Sequence, residues 1–278
     1  MTATDQVRKL GRANFSTCEQ IGFFQLQVDE HGVATLLFDR PPVNAVSLEV
    51  YRNLGEVIDR VEGDNDVRVV VLTAPLEQRA WCGGADLNDF VGIDKSGRHA
   101  RYEFINTTLP RLARVDRPTI AAINGPAIGI GTVIAAMCDM RVAAKSAVFR
   151  TPEIDYGLVG GGPGLLSFLN LPEGLIREMH YTGRNFDAKE MARAGFLNEV
   201  VKRSEVLPRA LELARSIAQK SLPGLKARKR VFNDIEGRTW MESYLIAQEV
   251  SGNLVTTSDA GEGVHAFLEG RSPEISDN

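Results

Sequence analysis

The chain has 278 residues, which is the length of one large domain or of one domain with an appended helical piece. Its composition, with 44% apolar and 24% charged residues, is that of an ordinary globular protein. A net charge of −4 offers nucleic acid no general attraction, and no apolar run approaches the roughly 20 residues needed to cross a bilayer. We therefore expect neither a nucleic-acid partner nor association with a membrane.

The cysteines and the N-terminal residues indicate the compartment. Cys18, Cys82 and Cys138 lack the spacing of metal ligands, and their odd number argues against a disulfide framework. The four histidines are scattered as well, so we expect no metal site. Residues 1–12 carry several charges and no apolar stretch, which argues against a secretory signal. These features predict a reducing, cytoplasmic compartment.

The N-terminal part of the chain predicts an arm followed by a hairpin. Residues 1–20 are polar and aperiodic, which indicates a loose N-terminal arm. Two β-prone runs, at residues 23–28 and 33–38, flank a polar turn that contains Gly32, and this arrangement predicts a β-hairpin.

The next hundred residues alternate between helical and strand patterns. From Ser47 to Val61, apolar residues recur at helical spacing, and the continuous apolar run from Val67 to Thr73 predicts a strand that is buried on both faces. Residues 79–90 contain a glycine turn followed by the start of a helix. Residues 98–115 predict a helix that Pro110 breaks or kinks.

The central segment, residues 117–164, carries the pattern that indicates chemistry. A β-prone run, Thr119–Ile123, is followed by a glycine step at Gly129-Ile130-Gly131 and an apolar helix over residues 132–137. A strand, a glycine turn and a helix in this order present unpaired backbone N–H groups to a negatively charged atom. Glu153 follows about twenty residues later. An anion hole beside a carboxylate predicts enolate chemistry.

The C-terminal third predicts helices alone. Asp187 and Glu190 have the spacing of an N-cap and its N3 partner, and Gly195 would close that helix. The other predicted helices cover residues 173–181, 204–220, 225–250 and 259–268. Strands with interleaved helices, followed by helices alone, indicate an α/β core with a helical C-terminal extension, and the boundary is expected near residue 200.

Five motifs together resemble the enoyl-CoA hydratase/isomerase (crotonase) superfamily. They are PPVNAVS (41–47), AWCGGADLNDF (80–90), INGPAIGIGTVIAAMCDMRVAA (123–144), TPEIDYGLVGG (151–161) and SDAGEGVHAFLEGRSP (258–273). The resemblance implies an α/β fold in which a crotonase-like spiral of ββα turns, over residues 21–200, forms two roughly perpendicular sheets and binds the CoA thioester. It also implies a helical trimerisation region over residues 201–278.

The same resemblance implies the partners. Members bind an acyl-CoA thioester, form homo-trimers and often pair these into hexamers. No separate cofactor is implied, because coenzyme A is part of the substrate.

The resemblance also implies site residues. Members polarise the thioester carbonyl with two backbone N–H groups, which by motif position belong here to Ala85 and to Ile130, where the usual glycine is absent. Glycines allow close approach of the backbone, and a helix N-terminus attracts negative charge. The positions implied in substrate binding are Trp81, Gly83, Asp86, Gly129, Gly131, Val133 and Tyr156.

The carboxylates set the expected chemistry. Typical hydratases of the superfamily carry two glutamates, and their positions fall here on Val133 and Glu153. A single carboxylate, Glu153, can move a proton beside the thioester or orient water alone. Single-glutamate members that the chain resembles include Δ3,Δ2-enoyl-CoA isomerases and hydratase-lyases that act on aromatic enoyl-CoA. Asp155 or Tyr156 could supply a second polar group.

The leading hypothesis is an acyl-CoA enzyme that stabilises a thioester enolate and hydrates a 2-enoyl-CoA. Isomerisation of a 3-enoyl-CoA and a single-glutamate hydratase-lyase reaction remain open alternatives. A hypothesis of another class is a non-catalytic scaffold that binds CoA esters.

Several of these residues have a structural alternative. Glu153 could be a solvated glutamate at the end of a strand, Asp86 could cap the helix that follows it, and Trp81 could pack in the core. Cys82 is expected to be a packing residue and not a nucleophile. The glycine run at residues 160–162 could line a pocket or form a turn.

A basic cluster near the C-terminus has two interpretations. It consists of Lys226, Arg228, Lys229 and Arg230. Such a cluster is typical of a solvated helix face. The resemblance offers contact with the CoA phosphates as the alternative.

Overall fold

The computed structural model describes residues 15–159, 171–254 and 257–277. The strands in these ranges are β1 (Phe15–Ile21), β2 (Phe24–Asp29), β3 (Val33–Phe38), β4 (Ala45–Val46), β5 (Val69–Thr73), β6 (Gly84–Ala85), β7 (Thr119–Ile123), β8 (Ala127–Ile128), β9 (Met140–Ala144), β10 (Val148–Arg150), β11 (Phe186–Asp187) and β12 (Glu199–Val201). The α-helices are α1 (Leu48–Glu62), α2 (Lys95–Arg114), α3 (Ile130–Met137), α4 (Glu173–Thr182), α5 (Ala188–Arg193), α6 (Val206–Ala218), α7 (Leu222–Asp234), α8 (Trp240–Leu254) and α9 (Ser258–Glu269). Short 3₁₀ helices cover Leu87–Phe90, Pro152–Tyr156 and Arg203–Glu205.

A seven-stranded sheet in the order β1-β2-β3-β5-β7-β9-β12 forms the body of the described chain. The predicted hairpin is confirmed: β2 and β3 pair antiparallel, with Phe24 opposite Phe38. From β3 onward, neighbouring strands of this sheet run parallel. The continuous apolar run of β5 is buried along its whole length, as expected for a parallel strand that is covered on both faces.

Two small sheets hold the segments that follow the parallel strands. β4 and β6 pair in parallel, with Val46 opposite Ala85. β10 lies between β8, to which it is parallel, and β11, to which it is antiparallel. These short ladders place residues 84–85 and 127–128 beside strands from distant parts of the chain.

The helix predicted from Ser47 is confirmed as α1. The Ser47 hydroxyl caps it by accepting a hydrogen bond from the N–H of Val50. The next predicted helix is present as α2, but it starts earlier and continues through Pro110, so the proline does not break it. Burial of Leu109 and Leu112 on either side of Pro110 offsets the backbone hydrogen bond that a proline removes.

The expectation of a loose arm over residues 1–20 is wrong for its last six residues. Phe15–Ile21 form β1, which pairs antiparallel with β2. Cys18, Glu19 and Gln20 are exposed on this edge strand. Because the strand lacks the alternation of buried and exposed apolar residues, its sequence gave no strand signal. Residues 1–14 lie outside the described part of the chain.

The sheet core extends beyond the boundary expected near residue 200. α6, within the segment assigned to the C-terminal region, packs against β3, β5, β7 and β9. The apolar stripe that predicted this helix faces the sheet and is buried. The helical region that is separate from the sheet therefore begins after α6.

The remaining helix predictions hold with one difference. The capping box is confirmed, because Glu190 N–H donates to Asp187 and Asp187 N–H donates to Glu190. The single stretch over residues 225–250 is two helices, α7 and α8, separated by residues 235–239. Among the described residues, no helix combines the length and the apolar character that crossing a bilayer requires.

Candidate active site

The two loops that follow the parallel strands β5 and β7 lie side by side. Cys82 N–H donates to Pro126 O at 3.1 Å, and Ile128 N–H donates to Cys82 O at 2.9 Å. A side chain at Gly131 would approach Cys82 O to 2.7 Å, so glycine is required for this contact. Loops after the carboxyl ends of parallel strands are the usual place for a ligand in α/β folds. The two predicted N–H donors, Ala85 and Ile130, come from these neighbouring loops.

Each predicted donor directly follows a glycine with a positive φ angle. The φ angle is +104° at Gly84 and +54° at Gly129, and L-residues rarely adopt either value. These glycines set the orientation of the peptide groups that carry the N–H of Ala85 and of Ile130. Gly84 lies in the quoted motif but is not among the residues predicted to bind substrate.

Ile130 is the first residue of α3. Thr132 N–H and Val133 N–H both donate to Gly129 O, at 2.9 and 3.3 Å. The N–H groups of Ile130 and Gly131 come before them and have no partner within the helix. The helix dipole adds a partial positive charge at this end. The arrangement can hold a negatively charged oxygen.

Glu153 is brought to the same place by the small sheet of β8 and β10. Gly129 N–H donates to Arg150 O at 2.7 Å, and the 3₁₀ helix that carries Glu153 begins two residues after Arg150. A Cβ atom at position 129 would lie 3.0 Å from Glu153 Oε1. The carboxylate is therefore held against the residue that precedes Ile130.

The surroundings of Glu153 favour its protonated form. Oε2 is buried and has no hydrogen-bond partner among the described residues. Burial raises the pKa of Glu153 above the ordinary carboxyl value, because the charged form loses its hydration. A carboxyl group with a raised pKa beside unpaired N–H groups can take up and return a proton.

No second acid accompanies Glu153 from the positions proposed for it. Val133, where two-glutamate members carry a carboxylate, is 7% exposed and apolar. Asp155 is paired with Arg150 at 2.5 Å, and Tyr156 is exposed to solvent. Three-membered clusters of His, Cys, Asp or Glu able to hold a metal ion are absent from the described residues.

Comparison with known proteins agrees with this geometry. The family model for enoyl-CoA hydratase/isomerase matches residues 29–278. The chain belongs to the enoyl-CoA hydratase/isomerase family. The resemblance stated from the motifs is thus confirmed, and so is the predicted class, an acyl-CoA enzyme of the hydratase/isomerase type.

Individual relatives in this family cover almost the whole chain. The chain is 31% identical to the short-chain-enoyl-CoA hydratase of Clostridium acetobutylicum over 252 residues, which are 88% of this chain and 94% of that protein. It is 33% identical to the carnitinyl-CoA dehydratase of Proteus mirabilis over 248 residues, which are 87% of this chain and 94% of that protein.

A solved structure confirms the predicted α/β, crotonase-like fold. The enoyl-CoA hydratase of Mycobacterium smegmatis matches with a TM-score of 0.86 and 29% sequence identity, covering 91% of this chain and 98% of that one.

Two of the predicted substrate-binding residues, Trp81 and Asp86, have contacts within the protein. Trp81 is buried in the hydrophobic core, as the core alternative expected. Asp86 caps the following 3₁₀ helix by accepting from Asn88 N–H, and it also pairs with Arg40 at 2.6 Å. The Arg40 guanidinium holds the pKa of the Asp86 carboxyl below its usual range. Asp86 is therefore engaged within the protein.

Two further expectations can be compared with the geometry. Burial raises the pKa of the Cys82 thiol to about 12, which fits a packing residue and not a nucleophile. Gly83 lies against Val43, whose carbonyl oxygen would be 2.7 Å from a Cβ at position 83. The glycine run at residues 160–162 lies outside the described residues.

The basic cluster on α7 fits neither of its two interpretations as a whole. Lys229 is only 4% exposed and pairs with Asp139 at 2.6 Å, while Lys226 pairs with Asp116 at 3.1 Å. The sequence does not indicate that Lys229 is buried and paired, because its partner Asp139 lies 90 residues earlier in the chain.

Proposed function

We propose that this site hydrates a 2-enoyl-CoA, with the N–H groups of Ala85 and Ile130 binding the thioester oxygen and Glu153 acting as general acid and base. The observation that carries the proposal is the position of Glu153, whose Oε1 would be 3.0 Å from a Cβ at Gly129, beside the N-terminus of α3. The relative from Clostridium acetobutylicum, which is named a short-chain-enoyl-CoA hydratase, supports the same reaction.

The chemistry follows from these positions. A water molecule adds its oxygen to C3 of the enoyl group and gives a proton to Glu153. The electron pair of the C2=C3 bond forms a C1=C2 bond while the carbonyl π pair moves to the thioester oxygen, and the two N–H groups hold the resulting enolate oxygen. The proton on Glu153 then passes to C2. One N–H donor of this type contributes about 2.7–4 kcal/mol to the transition state, and a positioned acid or base contributes about 10²–10⁴-fold.

Val133 favours a second candidate, the isomerisation of a 3-enoyl-CoA. An apolar side chain at this position cannot hold the attacking water together with Glu153. Isomerisation requires one carboxylate alone: Glu153 takes a proton from C2, the same N–H groups hold the enolate, and the proton returns to C4. Neither reaction uses a cofactor apart from the CoA moiety of the substrate.

The test compares the wild-type protein with Glu153→Gln and with Glu56→Gln, a control at an exposed glutamate on α1. Each protein is incubated with 2-enoyl-CoA and 3-enoyl-CoA esters, and the masses of the products are measured by mass spectrometry. Hydration adds one water, whereas isomerisation leaves the mass unchanged. Glu153→Gln should reduce turnover by about 100-fold or more, while Glu56→Gln should not. Full activity in Glu153→Gln would overturn the assignment of the base.

Titration with acetoacetyl-CoA separates the enzyme from the scaffold hypothesis. An oxyanion hole stabilises the enolate form of this ligand and should produce its absorbance in wild type and in Glu153→Gln. Absence of both enolate absorbance and turnover would favour a non-catalytic scaffold and overturn the proposal.

As part of this function, the chain forms a homo-trimer or a hexamer through its C-terminal helices. Support comes from large apolar side chains that α7, α8 and α9 leave exposed: Phe232, Met241, Tyr244, Leu245, Val264, Phe267 and Leu268. Apolar patches of this kind mark interaction surfaces. Light scattering should give a trimeric or hexameric mass, and Phe267→Asp should reduce it. A monomeric wild-type protein would overturn the proposed oligomerisation.

The proposed location is the cytoplasm. Three free cysteines, Cys18, Cys82 and Cys138, support a reducing compartment. Fractionation of the source cells with an antibody against the protein tests the location, and recovery outside the cytoplasmic fraction would contradict it.

A further inference from the structure

We propose that Arg40 is a positioning residue of the oxyanion hole, where it holds the N–H of Ala85 in place and neutralises the neighbouring carboxylate of Asp86. The inference rests on the proposed function, because it concerns the same two N–H donors. Its basis is a set of contacts between residues 40–46 and residues 80–86, two segments that are distant in sequence.

The guanidinium of Arg40 joins both strands of the small sheet that carries Ala85. Nη2 pairs with Asp86 Oδ2 at 2.6 Å, and Nη1 donates to Ala45 O at 2.9 Å. Asp86 directly follows Ala85, while Ala45 lies opposite Gly84 in the β4–β6 ladder. Arg40 therefore spans the ladder just beside the proposed donor.

The ladder needs such a connection because each of its strands has two residues. An isolated two-stranded ladder is marginally stable at best. Backbone bonds at both ends, from Gly83 N–H to Val43 O and from Asp86 N–H to Val46 O, align the segments. The Asp86 carboxylate is then held through both oxygens: Asn88 N–H and Nδ2 donate to Oδ1, and Arg40 contacts Oδ2.

The side chain of Asn44 fixes the backbone at Arg40. This side chain is fully buried, and the φ angle of Asn44, +54°, is unusual for a residue other than glycine. Oδ1 accepts from Arg40 N–H at 2.7 Å, while Nδ2 donates to Phe38 O at 3.0 Å and to Trp81 O at 3.2 Å. The backbone at Arg40 is thereby tied to the loop that leads to Ala85.

Charge gives Arg40 a second effect. The Asp86 carboxylate lies one residue from an N–H that must attract a developing negative charge, so an unpaired Asp86 would oppose the enolate. The side chains of Arg40 and Asp86 are 25% and 11% exposed, so water and salt screen their interaction less than that of a surface pair. Removing Arg40 should therefore weaken enolate binding more than binding of an uncharged thioester.

The experiment measures this difference in selectivity. Arg40→Met, Arg40→Lys, Asp86→Asn and the double variant Arg40→Met/Asp86→Asn are titrated with acetoacetyl-CoA, which forms an enolate, and with butyryl-CoA, which does not. Arg60→Met is the matched control, because Arg60 on α1 forms a similar, mostly buried pair with Asp64, in which the side chains are 31% and 16% exposed. The values of kcat and KM are measured separately for every variant.

Arg40→Met should weaken acetoacetyl-CoA binding about 10-fold more than butyryl-CoA binding, which is below the 10²–10³-fold loss typical of removing a whole donor. Its kcat should fall with little change in KM, and Arg40→Lys should restore part of the loss. In the Asp86→Asn background, Arg40→Met should add little, because the carboxylate to be neutralised is already gone.

Three results would overturn the positioning role of Arg40. Arg40→Met could weaken the binding of acetoacetyl-CoA and of butyryl-CoA equally, its effect on binding could add fully to that of Asp86→Asn in the double variant, or its binding selectivity could equal that of Arg60→Met. If Arg40→Met does not fold, the selectivities of Arg40→Lys and Asp86→Asn decide the question in the same way. Failure of the proposed function is distinguishable, because the wild-type protein itself would then produce no enolate absorbance.

Discussion

The carboxylate of Glu153 is held against Gly129, so closely that a Cβ atom at position 129 would lie 3.0 Å from Oε1. Backbone geometry fixes this relationship, because Gly129 N–H donates to Arg150 O and Ile128 lies opposite Arg150 in the β8–β10 ladder. The same glycine begins the turn that leads to Ile130. One residue thus links the proposed base to one of the proposed N–H donors.

Gly129→Ala should abolish turnover while the protein remains folded. The new methyl group would push the Glu153 carboxylate from its position, and the backbone at φ +54° and ψ −119°, which residues other than glycine rarely adopt, would be strained by about 1–3 kcal/mol. Gly195→Ala is the matched control, because Gly195 has a φ angle of +81° and no atom within 4 Å of an added Cβ. Denaturant unfolding should show similar losses of stability in both variants. Equal turnover of the two variants would contradict the proposed role of Gly129.

The pH dependence of kcat/KM should reflect the raised pKa of Glu153. The free enzyme needs the ionised carboxylate as a base, so kcat/KM falls as the pH drops through the pKa of this group. Burial raises that pKa above the ordinary value of 4.5. The acidic limb should therefore lie above pH 4.5 and disappear from the residual activity of Glu153→Gln. A limb at or below the ordinary carboxyl value would contradict the desolvation of Glu153.

Glu153→Gln should also stabilise the protein at neutral pH. A carboxyl group with a raised folded-state pKa binds more protons when folded, so stability falls as the pH rises from 4.5 through the raised pKa. Above that range the buried charge carries its full penalty, and the neutral amide avoids it. Thermal unfolding should give a higher Tm for Glu153→Gln than for wild type at pH 8, with the difference vanishing near pH 4. A lower Tm at pH 8 would contradict this account.

Local patterns predicted much of the fold, because the forces that form those elements act between near neighbours. The hairpin of β2 and β3, the cap of α1 at Ser47 and the box of Asp187 and Glu190 each depend on residues within a few positions of one another. The exposed edge strand β1 was missed, since its polar residues lack the alternation that signals burial.

In the candidate site, the motifs predicted a carboxylate beside a glycine turn, and Glu153 lies against Gly129. Ion pairs between residues that are distant in the sequence could not be found in this way. Arg40 meets Asp86 across 46 residues, and Lys229 meets Asp139 across 90. Ion pairs between such distant positions leave no periodic pattern, so they emerge only once the strands are in register.

Val133→Glu should increase hydration of a 2-enoyl-CoA. A second carboxylate on the first turn of α3 would allow two groups to hold the attacking water, and an added acid or base contributes about 10²-fold or more. Val133→Gln is the control, since its side chain has a similar volume and is polar but cannot accept a proton. Hydration rates and mass analysis of the products distinguish the two. Equal rates in both variants would contradict the two-carboxylate explanation of hydratase activity.

Lys229→Met should reduce the free energy of unfolding through the connection between α7 and the sheet. Lys229 is 4% exposed and its Nζ lies 2.6 Å from Asp139 Oδ1, while Asp139 Oδ2 accepts from Thr119 N–H at 2.7 Å. Removing one partner of a buried pair leaves an uncompensated charge, which costs about 3–5 kcal/mol. Because the Asp139 side chain is 30% exposed, we expect the lower end of that range.

Lys226→Met provides the comparison on the same helix, since Lys226 pairs with Asp116 and both side chains are about one-third exposed or more. A surface pair of this kind contributes about 0–1 kcal/mol, so urea unfolding should show a much smaller loss. Adding Asp139→Asn to Lys229→Met should recover part of the lost stability, because the unpaired charge is then removed. Equal losses for Lys229→Met and Lys226→Met would mean that burial does not strengthen the contact, and α7 would then be held to the core by apolar packing instead.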